Sequence, residues 1–305
     1  KSVILALAEK EAKSGQMGVN DFFEGTFEIT TNIMKRGCAV ACKICPQPLL
    51  SSSYSDDIRF LSFRDFVKVL HKIPKTYRID FSGYAEPFLN RDCVKMIKYT
   101  SDNGYYFCCY TTLVGVSLEN IETLSKLRFS REKNCPLEIH LPDKEGVMPI
   151  TITDTYKKVV KNLWDRSLPF VNWMTMNKNG ILHPEIRQLL NTDLGRFSPV
   201  TRANNLSDGN KMTEGQVKNA DRINGPISCG TMPRLNHNVM LPNGDVQLCC
   251  MDYGLQHKLG NIIKDSHEDL FTGSEFARLK RLMKEDSLDP KDNILCRNCE
   301  IATYV

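Results

Sequence analysis

The sequence predicts an α/β protein: a partial (β/α)6 barrel followed by a small cysteine-bound C-terminal domain. Three observations carry this expectation. Strand-like and helix-like blocks alternate from residue 27 to residue 202, six of the first kind and five of the second. Alternation of that kind implies parallel strands joined by right-handed crossovers. The pattern then stops at a polar, glycine-bearing stretch, RANNLSDGNKMTEGQ over 202–216, and beyond it cysteines gather a second time. Six strands fall short of the eight that close a full barrel. The expected division is a lead-in over 1–26, the barrel over 27–206 and the C-terminal domain over 207–305.

Taken in order, FEITTNI (27–33) reads as a strand that runs into a cysteine-rich loop. SFRDFVKVLHKI (62–73) reads as a helix with Ser62 as N-cap and Asp65 three residues on. YRIDFSG (77–83) is a strand, RDCVKMIKYTSDNG (91–104) a helix closed by Gly104, and YYFCCYTT (105–112) a strand. SLENIETLSKL (117–127), LEIHLP (137–142), TDTYKKVVKNLWDRS (153–167) and PFVNWMTM (169–176) continue the alternation. HPEIRQLLNTDLG (183–195) is the fifth helix and FSPVTR (197–202) the sixth strand. In the C-terminal part, NHNVMLPNGDVQLCCMD predicts a hairpin around Pro242, Asn243 and Gly244. HEDLFTGSEFARLKRLMKED (267–286) predicts one helix before a terminal CRNC.

Bulk composition excludes several classes. Forty basic and 36 acidic side chains leave a net charge of +4, too weak a field for a nucleic-acid partner. No apolar run reaches the length of a membrane span. The opening KSVILALAEKEAKS turns charged too soon for a signal peptide, and its lack of an initiator Met reads as a trimmed chain. Twelve cysteines without a secretory signal, including the adjacent pairs Cys108–Cys109 and Cys249–Cys250, argue for a reducing compartment, the cytoplasm. There, thiolates serve as metal ligands.

Cys38, Cys42 and Cys45 follow the first strand at C-x3-C-x2-C spacing. In βα folds that end of the strands is where chemistry sits. Three thiolates can hold three irons of a cubane and leave the fourth open, whereas clusters for electron transfer alone usually take four cysteines. A zinc knuckle completed by a distant ligand is the alternative. The spacing and its place after the first strand resemble the signature of the radical S-adenosylmethionine enzymes, with Ile44 where that family often has an aromatic residue. The resemblance implies a 4Fe–4S cluster whose open iron binds S-adenosyl-L-methionine, and cleavage of that cofactor to a 5′-deoxyadenosyl radical.

FSGYAEPFLN (81–90) resembles the same family's glycine–glutamate–proline motif. That likeness implies cofactor binding by Gly83, Ala85, Glu86 and Pro87, where a close backbone approach and a carboxylate suit an ammonium group. An ordinary strand-to-helix turn is the plainer reading of these residues alone. By position, the ends of later strands add His140, Thr175 and Arg202 as cofactor contacts. His140 can equally be a satisfied core histidine.

Cys229, Cys249, Cys296 and Cys299 form a second, four-thiolate set with Gly244 at the hairpin between the first two. A zinc ribbon fits the spacing. The set also resembles the extension called SPASM in its shortened twitch form, which implies one auxiliary 4Fe–4S cluster. Cys250 competes with Cys249 as the ligand. Cys108, Cys109 and Cys250 are possible hydrogen-atom donors to a substrate radical, although a buried cysteine is more often packing.

The expected function is a radical oxidoreductase acting on a small polyol, sugar or aminocyclitol, with a flavodoxin- or ferredoxin-like reductant. A peptide-modifying maturase or epimerase is the alternative. Only about 26 residues precede the first strand, against the extra N-terminal peptide-binding domain common in maturases. A zinc-stabilised binding module without catalysis is the reading from another class.

Overall fold

A computed structural model describes residues 22–177, 179–192, 194, 202–206, 221–286 and 293–305. Its first half is the expected alternation. Strands β1 (Gly25–Ile29), β2 (Tyr77–Phe81), β3 (Phe107–Thr111), β4 (Leu137–Leu141) and β5 (Val171–Thr175) are each parallel to the next. Between them run α1 (Gln47–Ser53), α2 (Phe63–Leu70), α3 (Cys93–Asp102), α4 (Leu118–Leu124) and α5 (Asp154–Asp165), with α6 (Pro184–Leu190) after β5. Helix α1, directly after the cysteine loop, is not foreseen in the sequence. The first strand starts two residues earlier than expected and ends at Ile29. The sixth strand, expected over 197–202, falls almost wholly outside the described residues, as does the 206/207 boundary. The described part is an open, mostly parallel sheet.

Helix starts follow side-chain chemistry. The Ser62 hydroxyl accepts the Asp65 N–H as the N-cap of α2, Ser117 and Asn120 form a reciprocal capping box on α4, and Thr153 caps α5. Helix α6 ends on Asn191 in the left-handed region (φ 50°), a position asparagine tolerates better than most residues.

Strand alternation separates two faces. Phe27, Ile29, Ile79, Phe81, Phe107, Leu137, Ile139 and Leu141 pack outward in one apolar core with Phe66, Leu70, Met96, Ile121 and Val160 of the helices. Among the intervening residues, Glu28, Arg78, Asp80, Tyr110, Glu138 and His140 line an interior cavity. The helix-facing set supplies the hydrophobic stabilisation, about 1.5–3 kcal/mol for each large side chain buried. The cavity-facing set is free to be polar.

The C-terminal part is not a separate sheet. Strand β7 (His237–Met240) pairs in parallel with the free side of β1, and β8 (Asp245–Gln247) and β9 (Lys258–Asn261) add antiparallel. The order of the eight-stranded sheet is β5-β4-β3-β2-β1-β7-β8-β9. The expected hairpin turns at Gly244 (φ +86°), and the Leu241 N–H donates to the Asp245 carbonyl at 2.8 Å. The helix expected over 267–286 is instead a short 3-10 turn, Glu268–Phe271, and then α7, Ser274–Leu282. Gly273, extended between them (ψ 161°), breaks the run. A two-stranded sheet of β6 (Ile227–Cys229) and β10 (Ala302–Tyr304) closes the fold.

Arg297, between the last two cysteines, is fully buried. Its guanidinium donates to the carbonyls of Ile223, Gly225, Leu282 and Glu285 at 2.6–2.9 Å. These bonds tie the C-terminal cysteine turn to α7 and to the segment before β6. Replacing Arg297 by Met strands four carbonyls. It should lower stability by about 3 kcal/mol or more, read as a fall in the urea midpoint. An unchanged midpoint would mean that this buried cation holds nothing together.

Candidate radical and iron–sulfur site

The cavity inside the curved sheet has a volume of about 600 Å³. Cys38, Cys42, Cys45, the 83–86 turn and the inward strand residues line it. The cysteine loop is fixed by Gln47 at the start of α1. Gln47 Oε1 accepts the Cys38 N–H at 2.9 Å, while Nε2 donates to the Tyr84 carbonyl at 2.6 Å and to Cys45 Sγ at 3.2 Å. One amide side chain thus fastens loop and turn together. The Glu86 N–H points at Cys38 Sγ at 3.4 Å. Burial, then repulsion from Cys45 and Cys38, drives the Cys42 thiol well above its ordinary pKa. Three mutually repelling sulfurs that share backbone and amide donors suit a cation-rich iron–sulfur cubane, which takes them as thiolates.

The turn after β2 is built for a close approach. Gly83 lies at φ +66°, where a Cβ would collide with Thr30 Oγ1. Its N–H donates to Glu28. Glu86 accepts four hydrogen bonds: from the N–H groups of Phe88 (3.2 Å) and Thr112 (2.7 Å), and from the hydroxyls of Thr111 (2.7 Å) and Thr112 (2.6 Å). That fills the lone-pair sites of a carboxylate. Glu86 therefore anchors the turn. Pro87 is buried behind it, its carbonyl accepting the Thr31 hydroxyl at 2.8 Å.

Two buried ion pairs sit in the wall. Arg78 grips Asp80 through two bonds of 2.7 and 2.6 Å. Glu28 pairs with His237 of β7 and also accepts the Ser82 hydroxyl at 3.0 Å. Burial would raise Glu28, but the adjacent imidazolium holds its pKa below the ordinary value. Burial would lower His237, and the Glu28 carboxylate outweighs it, so its pKa lies above the ordinary value. Tyr110 and Glu138 are register partners on β3 and β4, with His140 two residues along on the same face. Burial, with the nearby Arg202 charge, pushes His140 down to about 4, so it lines the cavity as a neutral imidazole. Burial pushes Glu138 up.

Arg202 lines the cavity close to Tyr253, Cys250, Cys45 and Glu28; burial opposes its charge, but these neighbours raise its pKa. Thr175 does not reach the cavity: it is fully buried with its hydroxyl toward the Asn177 carbonyl, and Met174 and Met176 line the wall instead. Cys108 and Cys109 are also outside the lining. By alternation Cys109 faces the helices. Cys108 shares the face of Tyr110 but is sealed against Cys135 and the Asn134 carbonyl.

Cys229, Cys249, Cys296 and Cys299 lie within electrostatic reach of one another. Burial, then repulsion from Cys299 and Cys229, pushes Cys296 up to about 12. Burial also raises Cys299, with the charges of Glu300 and Cys229 adding to it, and Cys249, with Cys250 and then Cys296 adding to it. Four clustered thiols suit a closed metal centre. The adjacent cysteines divide: Cys249 turns to this set, whereas Cys250 lines the barrel cavity, its sulfur within 4.8 Å of ligand atoms of Glu28 and His237. Sequence reasoning missed Gln47, Glu28, Arg78, Asp80, Tyr110, Glu138, His237, Tyr84 and Tyr253. Charged residues at every second position of strands as apolar as YRIDF and LEIHL were the available signal.

Residues 229–300 match the family model of SPASM, an iron–sulfur cluster-binding domain. No curated protein matches the chain by sequence. Among solved structures, BtrN in complex with AdoMet and 2-DOIA is 16% identical, with a TM-score of 0.57 over 90% of this chain and 92% of that one. Streptococcus suis SuiB bound to precursor peptide SuiA is 13% identical, with a TM-score of 0.52 over 92% and 70%. The structure of anSMEcpe with bound AdoMet and Cp18Cys peptide is 15% identical, with a TM-score of 0.50 over 90% and 87%. At these identities the likeness is one of fold, and with the SPASM match it bears out a mostly parallel α/β core followed by a C-terminal iron–sulfur domain.

The Glu28–His237 pair makes a pH prediction. Its contribution is complete between the ordinary glutamate value of 4.5 and the ordinary histidine value of 6.5. It is lost as pH falls through the lowered Glu28 pKa and as pH rises through the raised His237 pKa. From pH 6.5 toward pH 9 the urea midpoint should therefore fall more in the wild type than in Glu28→Gln. Parallel profiles would show that the two side chains do not form an ion pair.

Proposed function

We propose that this chain, which has the fold of the radical S-adenosylmethionine enzymes and carries a SPASM iron–sulfur domain, abstracts a hydrogen atom from a small polar substrate held inside its barrel. The observation that carries this reading is that the three-cysteine loop, the glycine turn and the polar inner wall open into one cavity of about 600 Å³. Cys38, Cys42 and Cys45 would hold a 4Fe–4S cluster with one open iron, and S-adenosylmethionine bound there supplies a 5′-deoxyadenosyl radical. Cys229, Cys249, Cys296 and Cys299 would hold a closed cluster, which supplies a one-electron acceptor.

The chain's own residues account for the rest. Backbone of the 83–86 turn binds the cofactor's amino end, and Arg202 meets its carboxylate. Tyr110, Glu138 and the neutral His140 face the cavity as hydrogen-bonding groups for hydroxyl or amine substituents. Met148, Met174 and Met176 add apolar surface to the same lining, Met174 directly beside His140 across the β4–β5 pairing. A wall of this kind favours a compact polyol, sugar or aminocyclitol and a net oxidation. A reducing compartment and a flavodoxin- or ferredoxin-like donor follow from the same chemistry.

One observation favours a second reading. Cys250 turns its thiol into the cavity, so it could return a hydrogen atom to the opposite face of a substrate radical, in a sugar or in a peptide residue. Mass and isotope separate the two. Oxidation loses two hydrogens and takes up no solvent deuterium at the abstracted carbon; epimerisation keeps the mass in ordinary water and gains one deuterium in heavy water. We expect loss of two hydrogens, with activity retained in Cys250→Ala. A deuterated product of unchanged constitution, abolished by Cys250→Ala, would replace oxidation by epimerisation. In either case the triple variant Cys38→Ala, Cys42→Ala, Cys45→Ala should make no 5′-deoxyadenosine. If it still does, the radical assignment is wrong.

A further inference from the structure

We infer that Tyr253, in the C-terminal domain, donates a hydrogen bond to the open cluster through Cys45 and so sets how readily that cluster is reduced. The inference rests on the proposed reading of Cys38, Cys42 and Cys45 as cluster ligands. The observation is a contact of 3.2 Å between the Tyr253 hydroxyl and Cys45 Sγ, across 208 residues of sequence. A metal-bound cysteine is a thiolate, which can only accept, so the hydroxyl is the donor. Cys45 receives a second side-chain donor, Gln47 Nε2, also at 3.2 Å. One donor comes from the first residue of α1 and the other from the C-terminal domain.

Tyr253 is held where it is. It is buried, and its ring packs edge-on against Tyr84 with centroids 4.8 Å apart. The Tyr84 hydroxyl donates to the carbonyl of Cys249 at 2.8 Å. The two tyrosines therefore form a continuous bridge, from the sulfur of an open-cluster ligand, through two packed rings, to the backbone of a closed-cluster ligand. Tyr253 itself lies in the turn that follows Cys249, where the Asp252 N–H also bonds the Cys249 carbonyl at 3.1 Å. Whatever places Cys249 thus places the Tyr253 hydroxyl.

The physical consequence has a definite sign. Reduction adds negative charge to a cluster, and a hydrogen bond to a ligating sulfur stabilises that charge, so each donor raises the potential. Burial keeps solvent from screening the effect. The C-terminal domain would then do more than carry its own cluster: by docking Tyr253 it makes the open cluster easier to reduce.

Tyr253→Phe removes the hydroxyl and keeps the ring against Tyr84. In the reconstituted full chain the test is a redox titration followed by electron paramagnetic resonance, with the closed-cluster signal identified from the Cys38→Ala, Cys42→Ala, Cys45→Ala variant. The expected result is unchanged iron content, a more negative midpoint for the open cluster and an unmoved closed cluster. Proton double-resonance spectra of the reduced open cluster should also lose one exchangeable coupling in Tyr253→Phe. An unchanged midpoint, with the exchangeable coupling retained, overturns the inference while leaving the cluster assignment intact. Absence of any open-cluster signal from the wild-type chain overturns both.

Discussion

Strand β1 is hydrogen-bonded on both sides, to β2 and to β7, and both neighbours run parallel to it. The site depends on this one arrangement. Because β7 follows the first C-terminal cysteine by only a few residues and leads into the hairpin that ends at Cys249 and Cys250, pairing it to β1 brings the C-terminal chain to the cavity. Register does the rest: Glu28 lies opposite Asp80 on one side and Val239 on the other, with His237 two residues before Val239. A slip of one residue would turn Glu28 outward into the helix layer and Phe27 inward. The ion pair with His237, the approach of Cys250 and the reach of Tyr253 to Cys45 all require the observed register.

The same alternation explains how so many charges tolerate burial. A strand residue must face either the helices or the interior, and the helix side is already filled by phenylalanine, isoleucine and leucine. The interior side receives Glu28, Arg78, Asp80 and Glu138, each of which would be costly alone. Arg78 and Asp80 neutralise one another bidentately, and Glu28 is matched by an imidazolium and two further donors. Glu138, with only the Asn172 amide as side-chain partner among the described residues, at 3.1 Å, stands on the cavity wall with its pKa raised by burial. Matched pairs give the cavity a fixed shape, and the less satisfied groups give it something to bind with.

The barrel order was legible because parallel strands and amphipathic helices write their periods into the sequence. Ser62, Ser117 and Thr153 marked helix starts through capping, which is local chemistry. Cys38, Cys42 and Cys45 stood out for a similar reason, since their close spacing is itself local. What the sequence could not place were contacts across hundreds of residues. Nothing near Tyr253 announces Cys45, and nothing near His237 announces Glu28. The parallel β1–β7 pairing that makes both contacts joins segments over two hundred positions apart. Thr175 was misjudged on strand phase, because its neighbours Met174 and Met176 take the inward positions. Cys249 and Cys250 could not be told apart by spacing, because they lie in the turn beyond β8, where strand alternation no longer decides which side a residue faces.

The central claim is that one chain holds two different clusters, one complete in its protein ligands and one not. Iron and sulfide analysis with Mössbauer spectra of anaerobically reconstituted protein tests this most directly. The account predicts about eight iron per chain, falling to about four in the variant lacking Cys38, Cys42 and Cys45. It also predicts that S-adenosylmethionine perturbs one iron site in the intact protein and none in that variant. Stoichiometric zinc in place of iron, or a wild-type spectrum indifferent to S-adenosylmethionine, would contradict it.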